Sequence, residues 1–166
     1  GEDEKTSTSD NGTRKTWTAQ TSGTTKDFQG VAYGNNTFVA VGNDGKIFTS
    51  DDNATTWTSR TSGVNKKLNG VTFSTDKFVA VGNSGTILTS PDGTTWTAQT
   101  SGTTNTLQGV TYGNNTFVTV GSAGTILTSP DGTTWTDRTS GVNKVLSGVT
   151  FSTDKFVAVG QTGTIL

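Results

Sequence analysis

The chain contains no cysteine, no histidine and no methionine, and only two of its 166 residues are proline. Without cysteine there is no disulfide and no thiolate to hold a metal. Without histidine, the commonest general base and the commonest metal ligand are both missing. Charge is scarce and balanced, with 12 Lys and Arg against 13 Asp and Glu and a net charge of −1. Such a surface has no electrostatic footprint for nucleic acid. No apolar run approaches the roughly 20 residues that span a bilayer, so no membrane partner is expected. No signal peptide is recognisable. Gly1 in place of Met is read as a processed or engineered N-terminus, and if the protein is natural an extracellular location is expected.

Hydrophobic residues make up only 28% of the chain. They are β-branched or aromatic and sit at regular positions, unlike those of a disordered chain, which also usually carries more net charge. Threonine is the commonest residue and there are 22 glycines. Thr suits the pleated, half-buried surface of a strand, and Gly supplies turns. The length fits one all-β domain that buries about two-thirds of its unfolded surface.

Tryptophan recurs at 17, 57, 96 and 135, at intervals of 40, 39 and 39 residues. The third interval shows the grammar of the repeat. Leu107–Tyr112 is a short alternating run, Gly113-Asn114-Asn115 a turn, and Thr116–Val120 a second strand. Gly121–Gly124 turns again, Thr125–Thr128 is a third strand, Ser129–Gly132 a third turn and Thr133–Arg138 a fourth strand. Gly and Asn tolerate left-handed backbone, and Pro130 presets the turn before Asp131 and Gly132. Four short antiparallel strands in about 40 residues predict the blade of a β-propeller. Helical repeats are excluded, because no segment has helical periodicity.

The units alternate. Units one and three share Thr-Ala-Gln-Thr-Ser-Gly-Thr-Thr (Thr18–Thr25, Thr97–Thr104), whereas units two and four share Phe-Ser-Thr-Asp-Lys-Phe (Phe73–Phe78, Phe151–Phe156). The order is therefore A-B-A-B, from recent duplication of a two-blade segment or from deliberate construction. Residues 1–8 read as a flexible tail. The propeller domain is residues 9–166, with repeats at about 21–60, 61–99 and 100–138 and a last blade, 139–166, that lacks its fourth strand. Residues 9–20 read as the missing strand, since Ser9–Gly12 is similar to the turn at Ser129–Gly132. Closure by this strand removes two open sheet edges. Completed between chains, it gives an eight-bladed homodimer, the preferred expectation; completed within one chain, it gives a four-bladed monomer. The small residues Gly30, Gly70, Gly109 and Gly148 on the first strands allow close approach at the axis.

The third turn has a recognisable form. Ser50-Asp51-Asp52-Asn53-Ala54-Thr55-Thr56-Trp57 resembles the Asp-box, S-x-D-x-G-x-T-W, of sialidase-like bacterial propellers, with Ala54 where the pattern has Gly. Ser90–Trp96 and Ser129–Trp135 are copies one residue shorter. The near-uniform units also resemble designed symmetric propellers of the Cake and Scone type. The resemblance implies the fold, and it brings the sialidase activity to mind. That activity needs an arginine cluster, a tyrosine nucleophile and acidic partners in one asymmetric site. Only Tyr33 and Tyr112 exist, at equivalent places in a repeat, so no enzyme is expected.

The candidate residues are thus structural. Trp17, Trp57, Trp96 and Trp135 are read as plugs between blades rather than sugar-stacking platforms. Asp52, Asp92 and Asp131 are read as locks on their own turns, because one carboxylate per turn falls far short of the six to eight oxygens calcium takes. Asp76–Lys77 and Asp154–Lys155 are read as solvated hairpin tips. Arg60, Lys66, Lys67, Arg138 and Lys144 form a weak basic set on the B blades. No cofactor is expected. The expected partner is a second copy of the chain, and the expected function that of a self-assembling scaffold; the alternative is a multivalent module that binds glycans or a protein.

Overall fold

A computed structural model describes residues Thr16–Leu166. The four inner strands are β1 (Phe28–Gly34), β5 (Leu68–Phe73), β9 (Leu107–Gly113) and β13 (Leu146–Phe151). Each pairs with the next strand in sequence: β2 (Thr37–Gly42), β6 (Phe78–Gly82), β10 (Thr116–Gly121) and β14 (Phe156–Gly160). Three blades add a third strand, β3 (Ile47–Ser50), β7 (Ile87–Ser90) or β11 (Ile126–Ser129). They then add a fourth, β4 (Thr58–Arg60), β8 (Thr97–Gln99) or β12 (Thr136–Arg138). All pairing is antiparallel between sequence neighbours, giving three four-stranded sheets and one two-stranded sheet, β13–β14. The chain is therefore all-β with four blades.

The turns follow from residue chemistry. The first hairpin of each A blade places both asparagines in left-handed backbone, Asn35 and Asn36 at φ 47° and 56°, Asn114 and Asn115 at 46° and 54°. That conformation at both central residues matches the right-handed twist of the flanking strands. The second turn is a single 3₁₀ turn whose middle residue also has positive φ, including β-branched Thr162 at 58°. Fourth strands are three residues long, shorter than expected, because the preceding threonine N–H groups are bound to the turn aspartate instead of to β-ladder partners.

Inner strands pack on one another in chain order, β1 on β5, β5 on β9 and β9 on β13. The glycines make this approach possible: a Cβ added to Gly30 would lie 3.2 Å from Gly70 Cα, and one on Gly109 would lie 3.4 Å from Gly148 Cα. Between successive blades the core forms three apolar layers. The first joins Val39, Val41 and Ile47 to Leu68, Phe78 and Leu88. The second joins Val79, Val81 and Ile87 to Leu107, Phe117 and Leu127. The third joins Val118 and Val120 to Leu146 and Ala158.

The array stays open. β13 has no packing on β1 comparable to that between successive inner strands. Among the described residues the within-chain closure of a four-bladed ring is not made. Residues 16–20, the described part of the expected closing strand, form no strand and are exposed; residues 9–15 lie outside the described residues. Blade 4 is carried only as far as a single bridge, Val159 to Ile165.

Candidate functional site

The third turn of each complete blade is built on one carboxylate. In blade 3, Asp131 Oδ1 accepts from the backbone N–H of Thr133 and Thr134, each at 2.8 Å, and from Ser129 Oγ at 3.1 Å. Ser129 Oγ in turn accepts from Gly132 N at 2.8 Å. Asp92 repeats the arrangement with Thr94, Thr95 and Ser90. Blade 1 has the extra residue, and Asp52 grips further along. It accepts from Thr56 N, Thr55 N, Thr56 Oγ1 and Ser50 Oγ. Hydrogen bonds to the ionised form lower a carboxyl pKa. The bonds from Thr56, backbone first, hold the Asp52 carboxyl at about 2. Asp131 is held low chiefly by the N–H groups of Thr134 and Thr133, and Asp92 by those of Thr95 and Thr94. Among the described residues, no three or more acidic side chains gather as a metal group would require.

The same turn seats the tryptophan. Trp135 Nε1 donates to Gly132 O at 2.9 Å, Trp96 Nε1 to Gly93 O at 2.8 Å and Trp57 Nε1 to Ala54 O at 3.2 Å. Each half-buried indole faces the second-strand phenylalanine of its blade, with centroids 6.4–6.5 Å apart. Trp96 packs against the layer between blades 1 and 2, and Trp135 against the layer between blades 2 and 3. Trp57 has no blade in front of it among the described residues. It lines an apolar hollow of about 410 Å³ with Phe28, Val31 and Ala40. Trp17 stands apart from these three, 99% exposed and outside any strand, and plugs nothing within this chain.

Charged residues at the rim are more engaged than a solvated surface requires. Arg60 Nε donates to Thr49 Oγ1 and Arg138 Nε to Thr128 Oγ1, each at 2.8 Å, tying the fourth strand to the third. Lys77 crosses a blade boundary: its Nζ donates to the carbonyl oxygen of Asp131 at 3.0 Å. Lys77, expected to be a solvated hairpin tip, is instead a hook between blades, and no local sequence signal marks it, since its partner lies 54 residues away. Tyr33 and Tyr112 each hold a local contact, Oη to Asn36 or Asn115 Oδ1 at 3.4 Å, and no acid–base partner.

No family model matches the chain, and no curated protein matches its sequence. Solved structures do. The computationally designed Ika4 protein is similar at 16% identity and TM-score 0.74, with 92% of this chain and 97% of Ika4 covered. The designed Ika8 protein is similar at 18% identity and TM-score 0.68, over 83% of this chain and 44% of Ika8. A YCF48 protein solved with a D1 peptide is similar at 20% identity and TM-score 0.70, over 84% of this chain and 48% of that one. The chain thus spans about half the length of the latter two. At these identities the likeness is one of fold, a repetitive β-propeller shared with designed proteins and a YCF48 protein.

Proposed function

We propose that the chain is a non-enzymatic propeller scaffold, engineered or derived from a highly repetitive bacterial propeller, that assembles as an eight-bladed ring of two copies. One observation carries this. Among the described residues blade 4 has the start of a third strand and no fourth, while Thr18-Ala19-Gln20, identical in sequence to β8 (Thr97–Gln99), stands unpaired. In the ring, this segment of one copy completes blade 4 of the other, and Trp17 takes the seat that Trp96 and Trp135 occupy in theirs. The turns of the ring are Asp-box turns with a structural carboxylate. Light scattering tests the proposal by showing a mass twice 17.2 kDa. Deleting residues 1–20 weakens that assembly by removing the closing strand. A mass of one chain at all concentrations refutes it.

A multivalent binding module is the second reading. It is favoured by polar hollows at matched places on successive blades, one along residues 59–66 beside Asp44 and another along residues 99–104 beside Ser84. Repeated sites gain through avidity. A glycan array with no bound sugar removes its glycan-binding form.

A further inference from the structure

The two end faces of the array expose side chains whose repeat equivalents are buried. Val157 and Val159 of blade 4 are 38% and 46% exposed, whereas their equivalents in blade 2, Val79 and Val81, are fully buried. On the opposite face, Phe28, Val31 and Tyr33 of blade 1 are all exposed. Their equivalents in blade 3 are Leu107, fully buried, and Val110 and Tyr112, half-buried against the layer that holds Val79 and Val81. The blade order A-B-A-B makes this decisive. The junction of blade 2 with blade 3 runs from a B blade to an A blade. Blade 4 is a B blade and blade 1 an A blade, so the chain already contains the junction that its two free faces would make.

We infer that blade 4 of one copy docks onto blade 1 of a second copy in the register that blade 2 uses on blade 3, setting Val157 and Val159 against Phe28, Val31 and Tyr33. The inference rests on the two-chain ring proposed above and names its interface. Lys155 is the equivalent of Lys77. In the docked register it reaches the second copy's Asp51–Ala54 turn, as Lys77 reaches Asp131. That turn carries two aspartates, Asp51 and Asp52, where blade 3 carries Pro130 and Asp131, so it offers more negative charge to the incoming lysine. The hollow beside Trp57 receives the valines. The contact is head-to-tail, and two copies related by a half-turn make it twice and close.

Cysteine scanning tests the register, since the chain has no cysteine of its own. A Cβ on Gly132 would lie 3.2 Å from Val79 Cγ2. Val157 and Ala54 are the equivalent positions across the proposed junction, so in that register a disulfide between them is expected. Under oxidation, the double variant A54C/V157C is expected to give a covalent species of two chains on a non-reducing gel, and either single variant none. V159D, on an exposed face, keeps the circular dichroism spectrum of the parent and yields single chains. K155E weakens association about tenfold, an effect that fades with added salt. A two-chain mass without the A54C/V157C bridge, or one that survives V159D, overturns the junction and leaves the ring. A ladder of larger covalent species supports the junction and overturns the two-chain ring. Single chains from the parent at all concentrations overturn both.

Discussion

Val81 and Val159 are the same residue in the same place on two B blades, and they differ only in what lies in front of them. Val81 is fully buried against blade 3, whereas Val159 is 46% exposed. Truncating each to alanine therefore separates the fold of the chain from its assembly. Val81→Ala removes the equivalent of two methylenes at about 0.8 kcal/mol each and leaves a cavity, for a loss of about 2–3 kcal/mol. Val159→Ala in a single chain forfeits about half the transfer free energy and leaves no closed cavity, about 1 kcal/mol. Thermal unfolding by circular dichroism reads the difference, at roughly 2–4 °C per kcal/mol for a chain of this size. The test lies in the concentration dependence. In the ring, Val159 becomes as buried as Val81 and its truncation costs a further ~1 kcal/mol at each of two junctions. The dissociation constant of the dimer then rises roughly 30-fold. Dilute samples should show V81A well below V159A in melting temperature, and concentrated samples should show the gap closing. Equal losses in dilute solution, or a gap independent of concentration, would refute the reasoning.

Other predictions follow from the turns. Trp96→Ala should cost about 3 kcal/mol in urea denaturation, because the indole packs against the layer between blades 1 and 2 and its N–H anchors the turn. The turn aspartates have lowered folded-state pKa values, so the stability they contribute is present above the ordinary carboxylate range and is lost as pH falls from about 4 to 2. The triple variant D52N/D92N/D131N should be less stable than the parent at pH 7 and should show a flatter stability profile over that interval; an unchanged acid profile contradicts the turn-lock role. Thr162→Gly should raise stability by about 1 kcal/mol, since a β-branched residue at φ 58° is strained and glycine is not.

Much of this architecture was legible because the repeat repeats its chemistry. The tryptophan interval and the asparagine and aspartate turns located the strands of three blades to within a few residues. One aspartate in a turn, with no second carboxylate beside it in blades 2 and 3, points to an acceptor for the turn's own N–H groups, and Asp52, Asp92 and Asp131 accept from Thr56, Thr95 and Thr134. What escaped the sequence depends on neighbours distant along the chain. Lys77 and Lys155 have identical local sequence, yet among the described residues only Lys77 has a turn of the next blade within reach, so its hook is a property of blade packing. The place of closure was legible only as two alternatives, because a strand like Thr18-Ala19-Gln20 can complete the last blade of its own chain or of another, and local sequence is the same in both cases. The exposure of Trp17 was not legible either: its sequence context matches that of Trp96, and its surroundings do not.

The central claim is that the chain's open faces and unpaired segment are completed by a second copy. Multi-angle light scattering of the full chain across a dilution series tests it most directly. The account predicts a species of twice 17.2 kDa that dissociates to single chains only on dilution. A species of 17.2 kDa throughout, even at high concentration, would contradict it.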